Sequence, residues 1–139
     1  VIAIITNSQD RILFTKRKYD PGAALLDLPG GFVDINETSE EALMREIREE
    51  TGLTLQHFEY LFSLPNQYFY NDLLYYTLDN VFLCKVDNIA QMKPDDDVSE
   101  LLFLKVQNIV LKQIALNSVR NLIGKIQTED KLRQKIFQG

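Results

Sequence analysis

The sequence predicts an α/β domain built on a mixed sheet, and three observations carry that expectation. Short β-branched and aromatic runs recur along the chain, bounded by Gly, Pro, Asn and Asp. One stretch, 39–50, lacks Gly and Pro and has helix-start and helix-stop signals at its ends. A second, 110–127, spaces its apolar residues near the helical period. At 139 residues the chain suits one domain over 1–139, with enough length for a continuous core.

Taken in order, residues 1–6 (VIAIIT) read as a buried strand and 11–18 (RILFTKRK) as a second one. Asn7-Ser8-Gln9-Asp10 between them is turn chemistry, so a hairpin is expected. Asp20-Pro21-Gly22 marks a loop, the apolar piece 25–28 follows, and Pro29-Gly30-Gly31 breaks regular structure. Thr38-Ser39-Glu40-Glu41 has the form of a capping box with Thr38 as N-cap, and Gly52 suits the C′ position. A helix of about three turns is therefore predicted from Ser39 to Glu50. Residues 53–63, 73–86 and 101–106 read as strands. Residues 110–127 read as a helix, with Ser118 as an internal cap and restart, and the charged tail from Thr128 as helical or frayed.

Composition narrows the function. A net charge of −5 argues against an extended nucleic-acid surface, so an anionic substrate would rely on metal ions and a few placed cations. Cys84 is the only cysteine, which leaves neither an internal disulfide nor a cysteine-based zinc site. No apolar run approaches a membrane span, and the first residues lack a basic leader, so a cytoplasmic setting is expected. The chain opens without Met, inside a strand-like run; we expect a native N-terminal segment before it.

The helix carries the chemistry. Glu46, Glu49 and Glu50 stand at i, i+3 and i+4 and share one face, while Leu43, Met44 and Ile47 occupy the adjoining, core-facing arc. Like charges at this spacing destabilise a helix by a few tenths of a kcal/mol each, and a divalent cation removes that penalty. Carboxylate oxygens suit Mg²⁺ or Mn²⁺ rather than zinc. Taken alone, the pattern fits a solvated acidic face or a metal site.

The surroundings decide between them. From Gly31 the chain reads Gly31, five residues, Glu37, seven residues, then Arg45-Glu46-Ile47-Arg48-Glu49-Glu50-Thr51-Gly52-Leu53. This resembles the Nudix box with every fixed position filled, a match expected by chance about once in a billion registers. The resemblance implies the Nudix fold, a mixed sheet sandwiched between helices with the box as loop-helix-loop. It also implies a Mg²⁺-dependent (or Mn²⁺-dependent) hydrolase that cleaves the diphosphate of a nucleoside diphosphate joined to another group. On that resemblance Glu46, Glu50 and the Gly31 carbonyl hold metal, and Glu49 is a further ligand or orients water. Glu37 and Arg45 brace the loop to the helix. Gly30 and Gly31 permit a close backbone approach at the substrate.

A catalytic base in this family comes from the box or a later loop; here Asp95 to Glu100 resembles that loop, with Glu100 as first candidate and Asp97 as second. Arg17 matches a cation that relatives aim at phosphates; an edge-strand charge is the other reading. Ser63-Leu64-Pro65-Asn66-Gln67-Tyr68 is similar to a motif of NADH pyrophosphatases in Ser63, Pro65 and Tyr68, with Asn66 in place of Trp. Pro65 and Tyr68 are thus substrate-binding candidates, Tyr68 as a stacking ring. Leu26 stands where many relatives have Trp. His57 reads as a strand or surface residue and Cys84 as core. The expected partner is a small nucleotide, and a homodimer is a further expectation. A non-catalytic, nucleotide-binding sensor of the same fold is the competing function.

Overall fold

The computed structural model describes residues 1–138. Six strands run β1 (Ile2–Ile5), β2 (Ile12–Arg17), β3 (Leu26–Asp27), β4 (Leu55–Tyr70), β5 (Leu73–Val86) and β6 (Val98–Leu104). Three helices are α1 (Ser39–Thr51), α2 (Asn117–Thr128) and α3 (Asp130–Gln138). The strands form two three-stranded sheets, ordered β1-β5-β4 and β3-β2-β6. The first sheet is mixed, because β1 runs parallel to β5 while β4 and β5 are antiparallel.

The predicted hairpin between the first two strands does not form. The chain does reverse there, with the Asn7 carboxamide accepting from the Gln9 and Arg11 amides, and a lone bridge joins Thr6 to Ile12. The strands then diverge into different sheets, because β1 is buried at every position and takes β5 as its partner.

Alternation along the first sheet gives it two apolar faces. Ala3, Ile5, Phe82 and Cys84 pack against Leu43 and Ile47 of α1. Ile2, Ile4 and Val81 pack against Val119, Leu122, Ile123 and Ile126 of α2 and Ile136 of α3. The β layer thus lies between helices. Fully burying Leu43 and Ile47 contributes about 2 kcal/mol each. Met44, expected in the same arc, is 45% exposed, and Ala42 takes the buried place instead.

Two further boundaries moved. β4 continues through Tyr70, so 63–68 lies in a strand whose two-residue turn, Asn71-Asp72, has both residues at positive φ, as hairpin turns of this length require. Residues 110–116 are not α-helical: Leu111–Gln113 make a single 3-10 turn, and the Ile114–Ala115 backbone beyond it pairs with Leu26. The helix therefore starts at Asn117, which puts Ser118 in its first turn rather than at its cap.

Candidate active site

The loop before α1 and α1 itself build the first wall. Thr38 accepts from the Glu41 amide and Glu41 accepts from the Thr38 amide, so both capping-box bonds form. This fixes where α1 begins, and hence which side chains it turns inward. Glu50 is 6% exposed and its Oε1 accepts from the Gly30 amide at 2.8 Å. Gly30 has φ +155°, and a Cβ there would collide with the Val1 carbonyl. The Gly31 carbonyl accepts from the Val1 nitrogen at 2.8 Å. A Cβ on Gly31 would meet the Glu46 carboxylate from 2.5 Å, so glycine is what lets that carboxylate lie against the loop.

Arg45 organises the wall. Its Nε and Nη2 grip both Glu37 oxygens at 2.7 and 2.9 Å, and Nη2 also donates to the Phe32 carbonyl. Its Nη1 donates to Glu46 at 2.9 Å and Glu49 at 3.2 Å. That fork pulls the Glu37 carboxyl down to about 2, helped by the Asp34 amide. Conversely, burial pushes the Glu46 carboxyl up to about 7 against the pull of Arg45. Burial pushes Glu50 up to about 10, with the Gly30 amide opposing and the charges of Glu46, Asp97 and Asp27 adding to the rise.

The facing wall comes from the ends of β2 and β6. Arg17 donates to Asp27 at 2.9 Å and to the Pro21 carbonyl at 2.7 Å. Burial lifts the Asp27 carboxyl to about 6 despite Arg17. Backbone bonds from Lys93 to Thr51 and from Asp95 to Glu50 tie the loop before β6 to the end of α1. Asp97 is thereby set across from Glu50, and both line a cleft of about 780 Å³, its open mouth included. Arg17, Asp27, Gly30, Gly31 and Tyr68 line it too.

The structure therefore gathers Arg17, Gly30, Gly31, Glu50, Tyr68 and Asp97, with Glu46 against the loop beside them. Glu100 and Pro65 are not brought in. Glu100 pairs with Lys16 at 3.6 Å on the other face of the sheet, half exposed. A bulge between Lys16 and Arg17 sets Val98 opposite Arg17, so the first candidate for the base faces away from the cleft and the second faces it. Pro65 is exposed, while its neighbours Asn66 and Tyr68 line the cleft. Glu49 is 45% exposed at its side chain and reaches only Arg45. His57 is exposed, and Cys84 is buried with its thiol pushed up to about 12 by burial.

Sequence reasoning missed Asp27, Asn66, Thr77, Asp79 and Phe32 in this cleft. Asp27 had a readable signal, a single acid inside the apolar piece 25–28. The pairing of Asn66 with Thr77 and of Leu64 with Asp79 becomes visible only with the β4–β5 register.

No three metal-ligating side chains among the described residues already converge on one point. The donor set nonetheless fits a hard divalent cation. Glu50 is buried and Glu46 half-buried. Burial raises both, with the charges of Glu49 and Asp97 adding at Glu46 and those of Glu46, Asp97 and Asp27 at Glu50, and a cation among these carboxyls would offset that repulsion. Zinc, which favours nitrogen and sulfur, finds neither here.

This fold and wall are those of a recognised family. The NUDIX domain family matches residues 1–122, and the chain belongs to it. An ADP-ribose pyrophosphatase of Methanocaldococcus jannaschii is 36% identical over 107 residues, 76% of this chain and 60% of that protein. An 8-oxo-dGTP diphosphatase of Escherichia coli is 38% identical over 68 residues, 48% of this chain and 53% of that protein. The chain thus spans little more than half the length of these relatives. Among solved structures, a MutT NUDIX hydrolase from Burkholderia pseudomallei superposes with a TM-score of 0.73 at 25% identity, covering 90% of this chain and 94% of that one.

Proposed function

We propose that this chain is a Mg²⁺- or Mn²⁺-dependent hydrolase that cleaves the diphosphate of a nucleoside diphosphate joined to another group. The observation that carries it is Glu50, a buried carboxylate seated on the Gly30 amide and faced by Glu46 and Asp97 inside a complete box. Glu46, Glu50 and the Gly31 carbonyl would hold the cation, with Glu49 as an outer ligand or water-orienting group. The bound cation supplies neutralisation of phosphate oxygens and a more acidic water.

The chain's own residues do the rest. Asp97 takes a proton from the attacking water as its oxygen bonds to phosphorus and the bridging P–O bond breaks. Arg17 places positive charge by the phosphates, moderated by Asp27. Arg45 holds Glu46 and Glu49 in their rotamers and ties the loop to α1. Tyr68, set edge-on to Phe32 at 5.5 Å, offers a ring to the base or sugar. Among the described residues no helix is long and apolar enough to cross a membrane.

Purified protein offered ADP-ribose, NADH, nucleotide sugars and nucleoside triphosphates tests this, with and without Mg²⁺. Metal-dependent release of a nucleoside monophosphate from a diphosphate-linked substrate is expected. Folded protein that binds ADP-ribose yet turns over nothing would show the non-catalytic sensor instead.

A further inference from the structure

Glu50 and Asp97 occupy one part of the cleft, and the β4–β5 hairpin supplies a second polar patch to it. Asn66 and Thr77 are direct cross-strand partners, and Asp79 lies two residues further along β5, on the same face. Ser118 at the start of α2 bonds both ends of the patch. Its amide donates to Asn66 Oδ1 at 3.2 Å and its hydroxyl donates to Asp79 Oδ2. The two side chains are thereby held next to each other.

Starting α2 needs only the Asn66 oxygen. The residue is 6% exposed, yet its amide nitrogen has no hydrogen-bond partner among the described residues. Among the described residues no side-chain polar atom sealed from solvent is unpaired, so this nitrogen keeps some exposure, and Asn66 lines the cleft. A ligand that covers this donor without accepting from it loses that hydrogen bond to water, which is costly. Asp79 Oδ1 accepts from Thr77 at 3.0 Å, which leaves each carboxylate oxygen a further acceptor site. Leu116 and Val119 add apolar lining, and the Tyr68 and Phe32 rings meet at the same cleft.

We propose that Asn66 and Asp79 read the base of the substrate, selecting a nucleobase with an exocyclic amino group beside a ring acceptor, as in adenine. Asp79 accepts from the amino group and the Asn66 amide donates to the ring nitrogen. Uracil sets a carbonyl against the carboxylate and is disfavoured. This assignment rests on the reading of the cleft as a nucleotide site.

Nucleoside binding to the full chain, followed by NMR shift titration without metal or phosphate, tests it first. Adenosine is expected to bind, and purine riboside, which lacks the amino group, and uridine at least several-fold more weakly. Asn66→Asp keeps the oxygen that serves Ser118 and replaces the open donor with an acceptor. With its melt unchanged, it is expected to raise KM for an adenine diphosphate substrate about tenfold, with kcat little altered. Equal or absent binding of adenosine and purine riboside overturns the proposal, as does an unchanged KM in a folded Asn66→Asp; should that variant fail to fold, the nucleoside series decides alone. Selective adenosine binding without hydrolysis keeps this assignment and rejects the hydrolase, whereas hydrolysis indifferent to the base does the reverse.

Discussion

Glu50 and Arg45 do opposite electrostatic work in the same helix, α1. Burial holds Glu50 near 10, Glu46 near 7 and Asp27 near 6, all above their ordinary values of 4.5, 4.5 and 3.8. A carboxyl raised in the folded state binds more proton there than in the unfolded chain. Its contribution is therefore full below the ordinary value and is lost as pH rises through the folded one. With chelator present, the melting temperature is expected to fall between pH 5 and pH 8, and Glu50→Gln to flatten that fall. A melting temperature that climbs over this range would contradict it. Arg45 acts through its planar fork, since two nitrogens meet both Glu37 oxygens. Arg45→Lys keeps the charge but not the fork, so kcat should drop about tenfold or more while the far-ultraviolet spectrum is kept.

Whether an element was legible depended on where its determinants lie. Those of α1 are local: Thr38 and Glu41 at one end, Gly52 at φ +72° at the other, and the structure reproduces them within a residue. Thr38→Ala is accordingly expected to cost about 1 kcal/mol in denaturant unfolding, and no measurable change would mean the cap is idle. Strand partners are non-local, which is why β1 and β2 read as a hairpin yet join different sheets. The same holds for 110–116, where the Ala115 amide donates to the Leu26 carbonyl and helical periodicity loses. At the site, the box residues were legible because a loop and one helix carry them all. Glu100 lies away from the cleft because a bulge resets the register between Lys16 and Arg17, and no spacing rule in sequence reveals a bulge. Asn66 and Asp79 escaped notice because their proximity exists only once β4, β5 and α2 have met.

At the scale of the molecule, the apolar end of the β4–β5 hairpin bears on assembly. Phe69, Leu73, Leu74, Tyr75, Tyr76 and Leu78 are 45–75% exposed, and Asp72 is the only charge from Leu61 to Leu78. At roughly half exposure such side chains offer ~600 Å², close to the ~800 Å² per partner of a stable dimer. We propose that a second copy covers this end. Sedimentation should show a dimer that Tyr76→Glu with Leu78→Glu converts to monomer; a wild-type monomer at high concentration would oppose this.

The central claim is that the buried carboxylates of α1 serve a metal-dependent hydrolysis. Glu50→Gln keeps the oxygen that accepts from Gly30 and replaces the other with an amide nitrogen, which cannot become a carboxylate for a cation. The direct measurement is its kcat at saturating Mg²⁺ on the diphosphate substrate with the highest wild-type turnover, alongside a melt of the same sample. A loss of about a hundredfold or more, in a variant at least as stable as wild type without metal, is the expected result. Turnover within a few-fold of wild type would contradict the account.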